Sequence, residues 1–203
     1  MEASGSYEVM IDTMSKRYEG SSKDMVGILF ANPNNKFAGN EILRNIDYES
    51  IRSGKHIDFF FAGYNKRKID PDDKEIDAPN CKKWYFNVRT FKDFISCIEN
   101  LFKWEYSGET ELLLLEFRNG ELRFDKSMVI WLDRAVRKES IYSVSTLFEN
   151  IYRKARSITR TNKLSNKCEL NTITSYIIDT IRDYIIELFG DQPNICKVIY
   201  QDK

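Results

Sequence analysis

The chain is poor in the residues from which catalytic and metal centres are usually built. It has one histidine, His56, and four cysteines without a close pair, at Cys81, Cys97, Cys168 and Cys196. A single histidine excludes a multi-histidine metal centre, and isolated cysteines fit neither a zinc site nor a CxxC redox motif. A chain of 203 residues does not need disulfides for stability, so we expect reduced thiols and no bound cofactor or metal.

An excess of one charge and long apolar runs are also lacking. Lysine plus arginine and aspartate plus glutamate both number 31, so no global field attracts nucleic acid or an anionic membrane. No apolar run reaches the ~18–20 residues that span a bilayer. Met1 is followed by Glu-Ala-Ser-Gly, so we expect no secretory signal. These absences predict a soluble, cytoplasmic protein without a membrane partner.

The stretch from Met25 to Tyr64 predicts a βαβ unit. Two apolar runs, MVGILFA and HIDFFFAGY, are separated by GNEILRNIDYESIRSG, in which apolar residues have helical spacing. Such strands are expected to be parallel, and ligands of parallel strands sit at their carboxyl ends. Neither end carries a glycine-rich phosphate loop or a nucleophile beside a base. The candidate ligand- or partner-binding residues at these ends are Asn32, Asn34, Asn35, Phe37, Tyr64 and Lys66.

Further elements follow from periodicity and turn signals. The dipeptide Asn119-Gly120 favours a type I′ turn, because both residues tolerate positive φ. Before the βαβ unit, 1–6 is expected to be frayed and 7–18 to be a short helix. After it we expect a strand at 84–87, a helix from the N-cap Thr90 to about Trp104, a hairpin over 111–124 extended by 128–132, helices at 143–156 and 171–189, and a short strand at 195–200.

The order strand, helix, strand, helix, hairpin, helix is similar to that of thioredoxin-like α/β domains. We predict an α/β protein with a mixed sheet of four or five strands flanked by helices, plus an amphipathic C-terminal helix. A thioredoxin-like enzyme has its reactive cysteine at the start of the first helix, where the helix dipole lowers the thiol pKa. Here that place holds NPNNKFAGN, so the resemblance implies a scaffold without redox chemistry.

The domain prediction has three parts. Residues 1–156 form the α/β domain, 157–167 form a basic connector, and 168–203 form a helical extension that packs on the same domain or on a partner. Nothing in the sequence indicates an internal repeat.

An acidic loop follows the βαβ unit. Its carboxylates could hold a hard cation, but an EF-hand frame fails because Lys74 and Glu75 stand at ligand and glycine positions. Neighbouring lysines and arginines nearly neutralise the segment, so we favour a solvated, self-paired loop over a metal site. The carboxylates concerned are Asp70, Asp72, Asp73, Glu75 and Asp77.

Two segments are candidates for binding a partner, a basic run and the C-terminal helix. Between Glu149 and Glu169 there is no acidic residue, and the candidates for contacting nucleic acid or phosphate are Arg153, Arg156, Arg160 and Lys163. A solvated helix end and linker explains the same run. The C-terminal helix offers an apolar stripe for its own sheet, for a second copy in a dimer, or for another protein. Its candidate interaction residues are Tyr176, Ile177, Ile181, Tyr184 and Ile185.

Three functions remain open. The favoured hypothesis is a non-catalytic accessory protein that acts through protein–protein interaction. The first alternative is a metal-dependent enzyme on a nucleotide or nucleic acid, using Glu116 and Asp125 or the acidic loop. The second is a nucleic-acid-binding module that uses the basic connector. His56 precedes the second strand, away from the usual ligand end, so a structural role is favoured over a catalytic one.

Overall fold

Buried apolar runs build a mixed six-stranded sheet in the part of the chain described. The computed structural model describes residues 2–17, 24–46, 57–76, 83–137, 143–164, 173–190 and 193–201. Its strands are β1 Glu2–Ser4, β2 Asp24–Phe30, β3 Ile57–Ala62, β4 Tyr64–Asn65, β5 Lys74–Ile76, β6 Trp84–Phe86, β7 Glu111–Arg118, β8 Glu121–Trp131 and β9 Cys196–Tyr200. Its helices are α1 Tyr7–Arg17, α2 Val88–Leu101, α3 Leu132–Arg137, α4 Val144–Leu164 and α5 Ile173–Phe189.

The main sheet has the strand order β1-β3-β2-β7-β8-β9. Strand β3 is parallel to both β1 and β2, as the βαβ pattern predicts, whereas β7, β8 and β9 are joined by antiparallel pairing. A smaller antiparallel sheet, β4-β6-β5, follows the end of β3. The protein is therefore mixed α/β with a mixed sheet and several helices, as predicted.

Helices cover both faces of the main sheet. On β2, Phe30 contacts Phe91 and Phe94 of α2, with ring centroids 6.3 and 6.0 Å apart. A Cβ on Gly27 would lie 2.5 Å from the ring of Phe59, whose other neighbours include Phe148 of α4 at 5.7 Å. Residues 27 and 30 of a strand point to opposite faces. Consequently α2 and α4 pack on opposite sides, and β3 is buried at all six positions.

The β7–β8 hairpin has the predicted turn. Asn119 and Gly120 have φ values of 55° and 82°, which confirms positive φ at both central positions. Pairing is regular near the turn and again from Leu114↔Met128, with a shift of register between Leu114 and Glu116. The extra residues of this register shift lie on β8, between Arg123 and Met128. The second half of β8 also pairs with β9, from Lys126↔Tyr200 to Ile130↔Cys196.

Several expected boundaries are corrected. The sheet has six described strands, not four or five, because Glu2–Ser4 pairs with β3 and is not frayed. Strand β1 has only three residues and is held by backbone hydrogen bonds. Its side chains show no apolar alternation from which a strand could be predicted. Within the described residues, the first βα connection is helical from Lys36 to Ile46, and it includes a π-helical turn, Ala38–Ile42, and a 3-10 turn, Leu43–Asn45.

The helix boundaries also differ. Helix α2 is capped by Asn87, not Thr90, because the Asn87 side chain accepts hydrogen bonds from the amides of Arg89 and Thr90, and the helix ends at Leu101. Helix α4 continues to Leu164, so most of the predicted connector is helical. Within the described ranges, no helix is both long and apolar enough to cross a membrane.

The close contact of Gly27 with Phe59 gives a stability test. Because Phe59 is held by Phe148 and Tyr152, its ring cannot move away from an added methyl group. We expect Gly27→Ala to lower the free energy of unfolding by roughly 1–3 kcal/mol, the usual cost of overpacking. Urea unfolding followed by circular dichroism measures the difference.

Gly39→Ala is the matched control. An added Cβ at Gly39 meets no described atom within 4 Å, and Ala is favoured over Gly in a helical segment, so we expect no loss of stability and a gain of up to about 1 kcal/mol. Equal losses for the two variants would contradict the packing assigned to Gly27.

Candidate functional site

The carboxyl end of β2 meets the start of β7 and the end of β8 at one end of the main sheet. Phe30 lies opposite Glu111, and Glu111 lies opposite Trp131. The amide of Trp131 donates to the carbonyl of Ile195, just before β9. The predicted asparagine turn, the segment before β7 and helix α3 are therefore neighbours.

The asparagines at the end of β2 shape their own turn. The Asn32 side chain accepts a hydrogen bond from the amide of Asn34 at 3.0 Å, and the Asn35 side chain accepts one from the amide of Phe37 at 2.9 Å. Asn35 also donates to Asp133 Oδ2 at 3.2 Å. The Asn32 and Asn35 side chains are thus engaged within the protein, as turn-forming asparagines often are.

Asp133 connects three segments at this end of the sheet. Its side chain is buried, with Oδ2 bonded to Asn35 and Oδ1 accepting from the amide of Thr110 at 2.7 Å. Next to it, Glu109 is bound by Arg134 and by Arg137, the latter at 2.7 Å. Sequence reasoning did not single out Asp133 or Glu109, because acidic residues are also ordinary in a loop and at a helix start.

Glu111 is a fully buried carboxylate beside this network. It accepts hydrogen bonds from Trp104 Nε1 at 3.0 Å, from the amide of Ser107 at 2.7 Å and from the Ser107 hydroxyl. Burial raises the pKa of Glu111, while the bonds from Ser107 and Trp104 and the nearby indole of Trp131 oppose that rise. The carboxylate thereby holds the Trp104 indole in place.

An open groove of about 950 Å³ lies against the indoles of Trp104 and Trp131. It runs between the end of α2 and the face formed by β8 and β9. The floor is apolar and aromatic, and the rim carries two acidic and two basic side chains. The floor residues are Phe102, Trp104, Tyr106, Val129, Trp131 and Ile199, and the rim residues are Glu99, Lys103, Glu105 and Lys197.

Trp131 and Tyr106 are the half-buried aromatics of the groove. The guanidinium of Arg134 lies 4.6 Å from the Trp131 ring, so the indole is fixed on that side. Burial, together with Glu111, Asp133 and Glu109, raises the pKa of Tyr106. The Tyr106 hydroxyl is therefore neutral at physiological pH.

The two predicted residues at the end of β3 differ in exposure, since Tyr64 is buried and Lys66 is exposed. Tyr64 is fully buried, and its hydroxyl donates to the carbonyl of Ala31 at 2.5 Å. The ammonium of Lys66 lies 3.2 Å from the centroid of the Trp84 ring. The prediction of Tyr64 as a contact residue is corrected, because its aromatic ring belongs to the core.

The acidic loop is organised around one carboxylate. Asp73 is buried and accepts hydrogen bonds from the amides of Ile69 and Asp70, at 2.8 and 2.9 Å, and from the Asn87 side chain at 2.7 Å. Burial acts to raise its pKa, but these bonds hold the pKa of Asp73 below its ordinary value. Asp77 lies outside the described residues.

The apolar stripe of α5 packs within the protein itself. Ile177, Ile181 and Ile185 are buried, and the Tyr184 hydroxyl accepts a hydrogen bond from Asn150 of α4. Tyr176 alone of the five candidates is well exposed, at 58%. Of the alternatives left open for this helix, packing on the chain's own core accounts for the three isoleucines.

The basic candidates share one helix, and the acidic candidate Glu116 lies on β7. Arg153 and Arg156 are exposed on α4; Arg160 and Lys163 belong to the same helix, but their side chains lie outside what is described. Glu116 faces Arg123 across the hairpin. Among the described residues, no group of three or more histidines, cysteines or acids is placed to hold a metal ion. His56, Cys81 and Cys168 lie outside the described residues.

Comparison of the chain with models of protein families, with curated proteins and with solved structures finds no match.

The bonds of Asp73 predict a stability effect with a defined pH dependence. A lowered folded-state pKa means that ionised Asp73 stabilises the fold above its ordinary pKa of 3.8. That contribution is lost as pH falls through the folded-state pKa. We expect Asp73→Asn, which replaces one acceptor by a donor, to cost about 1–3 kcal/mol at pH 7. The difference in free energy of unfolding between Asp73→Asn and the wild type should become smaller below about pH 4. Urea unfolding at several pH values measures it.

Asp72→Asn is the control, since Asp72 is exposed on the same loop. We expect it to change the free energy of unfolding by less than about 0.5 kcal/mol. A pH-independent loss in Asp73→Asn would show that ionisation of Asp73 does not stabilise the fold.

Proposed function

We propose that the protein is a non-catalytic accessory protein that binds an extended segment of another protein. The observation that supports this proposal is the aromatic groove between the end of α2 and the β8–β9 face. The binding surface thus differs from the one expected from sequence, because Asn32, Asn35 and Tyr64 use their polar groups internally.

The scaffold that we propose is thioredoxin-like and redox-inactive. The strand order β3-β2-β7-β8, with one parallel pair and an antiparallel hairpin, supports it. The position of a reactive cysteine is taken by asparagines that close the turn after β2. Cys97 of α2 is a poor substitute, since burial and the nearby Glu8 and Asp93 raise its pKa and disfavour the thiolate.

The groove suits a peptide for two reasons. Aromatic side chains that are already fixed bury apolar area with little loss of entropy, and tryptophan and tyrosine are frequent hot spots. The rim has Glu99 and Glu105 balanced by Lys103 and Lys197, which favours a segment of mixed or no net charge over a polyanion.

Strand β9 adds a backbone surface beside the groove. Among the described strands, β9 pairs with β8 alone, so its other edge can accept an extended segment by β-augmentation. Its side chains at Lys197 and Ile199 line the groove, so one segment could use the backbone edge and the aromatic floor together.

The test is peptide selection on the immobilised protein, followed by affinity measurement on variants. We expect selected peptides to lose about 30-fold or more in affinity for Trp131→Ala, a loss of ~2 kcal/mol typical of a hot spot. They should also shift the indole NMR signal of Trp131 more than that of Trp84, which is buried away from the groove.

Val88→Ala is the matched control. Val88 is an exposed apolar residue of α2 that does not line the groove, so its truncation should leave affinity unchanged. Peptides that bind wild type and Trp131→Ala equally well would refute the groove as the binding site.

A further inference from the structure

The continuous helix α4 aligns basic residues that a flexible connector would have scattered. Positions 153, 156, 160 and 163 recur every three or four residues, and α4 extends to Leu164. Residues with this spacing lie along one side of a helix. At a rise of about 1.5 Å per residue, they span about 15 Å.

This side of α4 faces away from the sheet where side chains are described. The core side of the helix is formed by Leu147, Phe148, Ile151 and Ala155, which are all buried. Arg153 and Arg156 are exposed. The nearest acid on the helix is Glu149, one turn before Arg153, and none follows it up to Leu164.

Helix α5 brings little negative charge to the basic end of α4. Asn150 and Lys154 contact Tyr184, and only eight residues join the two helices, so α5 runs back along α4. The first six residues of α5, at 173–178, include no acid. The next acid, Asp179, is paired with Lys126 at 2.6 Å.

We infer that the outer side of α4 binds the phosphate backbone of nucleic acid. Four cations in one row can neutralise successive phosphates, an interaction that does not depend on base sequence. Tyr176, exposed near the start of α5, provides a ring on which an unpaired base can stack. This inference is independent of the groove and of the protein-binding function proposed for it.

The experiment measures binding of fluorescent single-stranded RNA and duplex DNA by anisotropy at several salt concentrations. With four phosphate contacts, raising salt from about 50 to 200 mM should weaken wild-type binding about 50- to 150-fold. With two contacts removed in Arg153→Ala/Arg156→Ala, the same change should weaken binding only about 7- to 12-fold. Tyr176→Ala should weaken binding to RNA and not to duplex DNA.

Arg89→Ala/Lys92→Ala is the matched control. It removes two exposed basic residues, three positions apart, from α2 and should leave the salt dependence at its wild-type value. Circular dichroism and thermal unfolding establish that each variant is folded, and Arg153→Gln/Arg156→Gln replaces the alanine variant if that one is not.

Three results would overturn the inference. These are a wild-type affinity that does not change with salt, an equal loss in the α2 control, and binding to anionic lipid vesicles without binding to nucleic acid.

Discussion

The pairing of β2 between β3 and β7 is the constraint on which the rest of the structure depends. Strand β2 is parallel to one neighbour and antiparallel to the other, and it carries helices on both faces. Its Gly27 leaves room for the ring of Phe59, which in turn contacts α4. A slip of one residue would exchange the two faces of the strand, so register and packing specify each other.

Buried carboxylates hold together the loops near the ends of the strands. Asp133 accepts a hydrogen bond from Asn35, 98 residues away, whereas Glu111 and Asp73 accept bonds from the nearer Trp104 and Asn87. A buried carboxylate is tolerated only when its oxygens are bonded in this way. These three carboxylates therefore organise loops, and the binding proposals concern the groove and α4.

Elements of the fold were predictable from the sequence where a local pattern of residues agreed with the burial and backbone conformation found in the structure. The hairpin turn followed from Asn119-Gly120, and β3 followed from the largely apolar segment HIDFFFAGY. The strand β1 was missed because Glu-Ala-Ser has no apolar periodicity and pairs through its backbone. The end of α4 was missed because serine, threonine and asparagine resemble a linker, although helix geometry continues through them to Leu164.

The sequence by itself determined the mixed α/β composition and the absence of paired cysteines, because apolar spacing and residue type are local properties. Only the tertiary structure decided which candidate residues are accessible. Tyr64 and Ile181 became core residues, whereas Trp131 came to face a groove with residues of α2 and β9. The burial of a residue depends on contacts with segments that are far away in sequence, and a local sequence pattern does not specify those contacts.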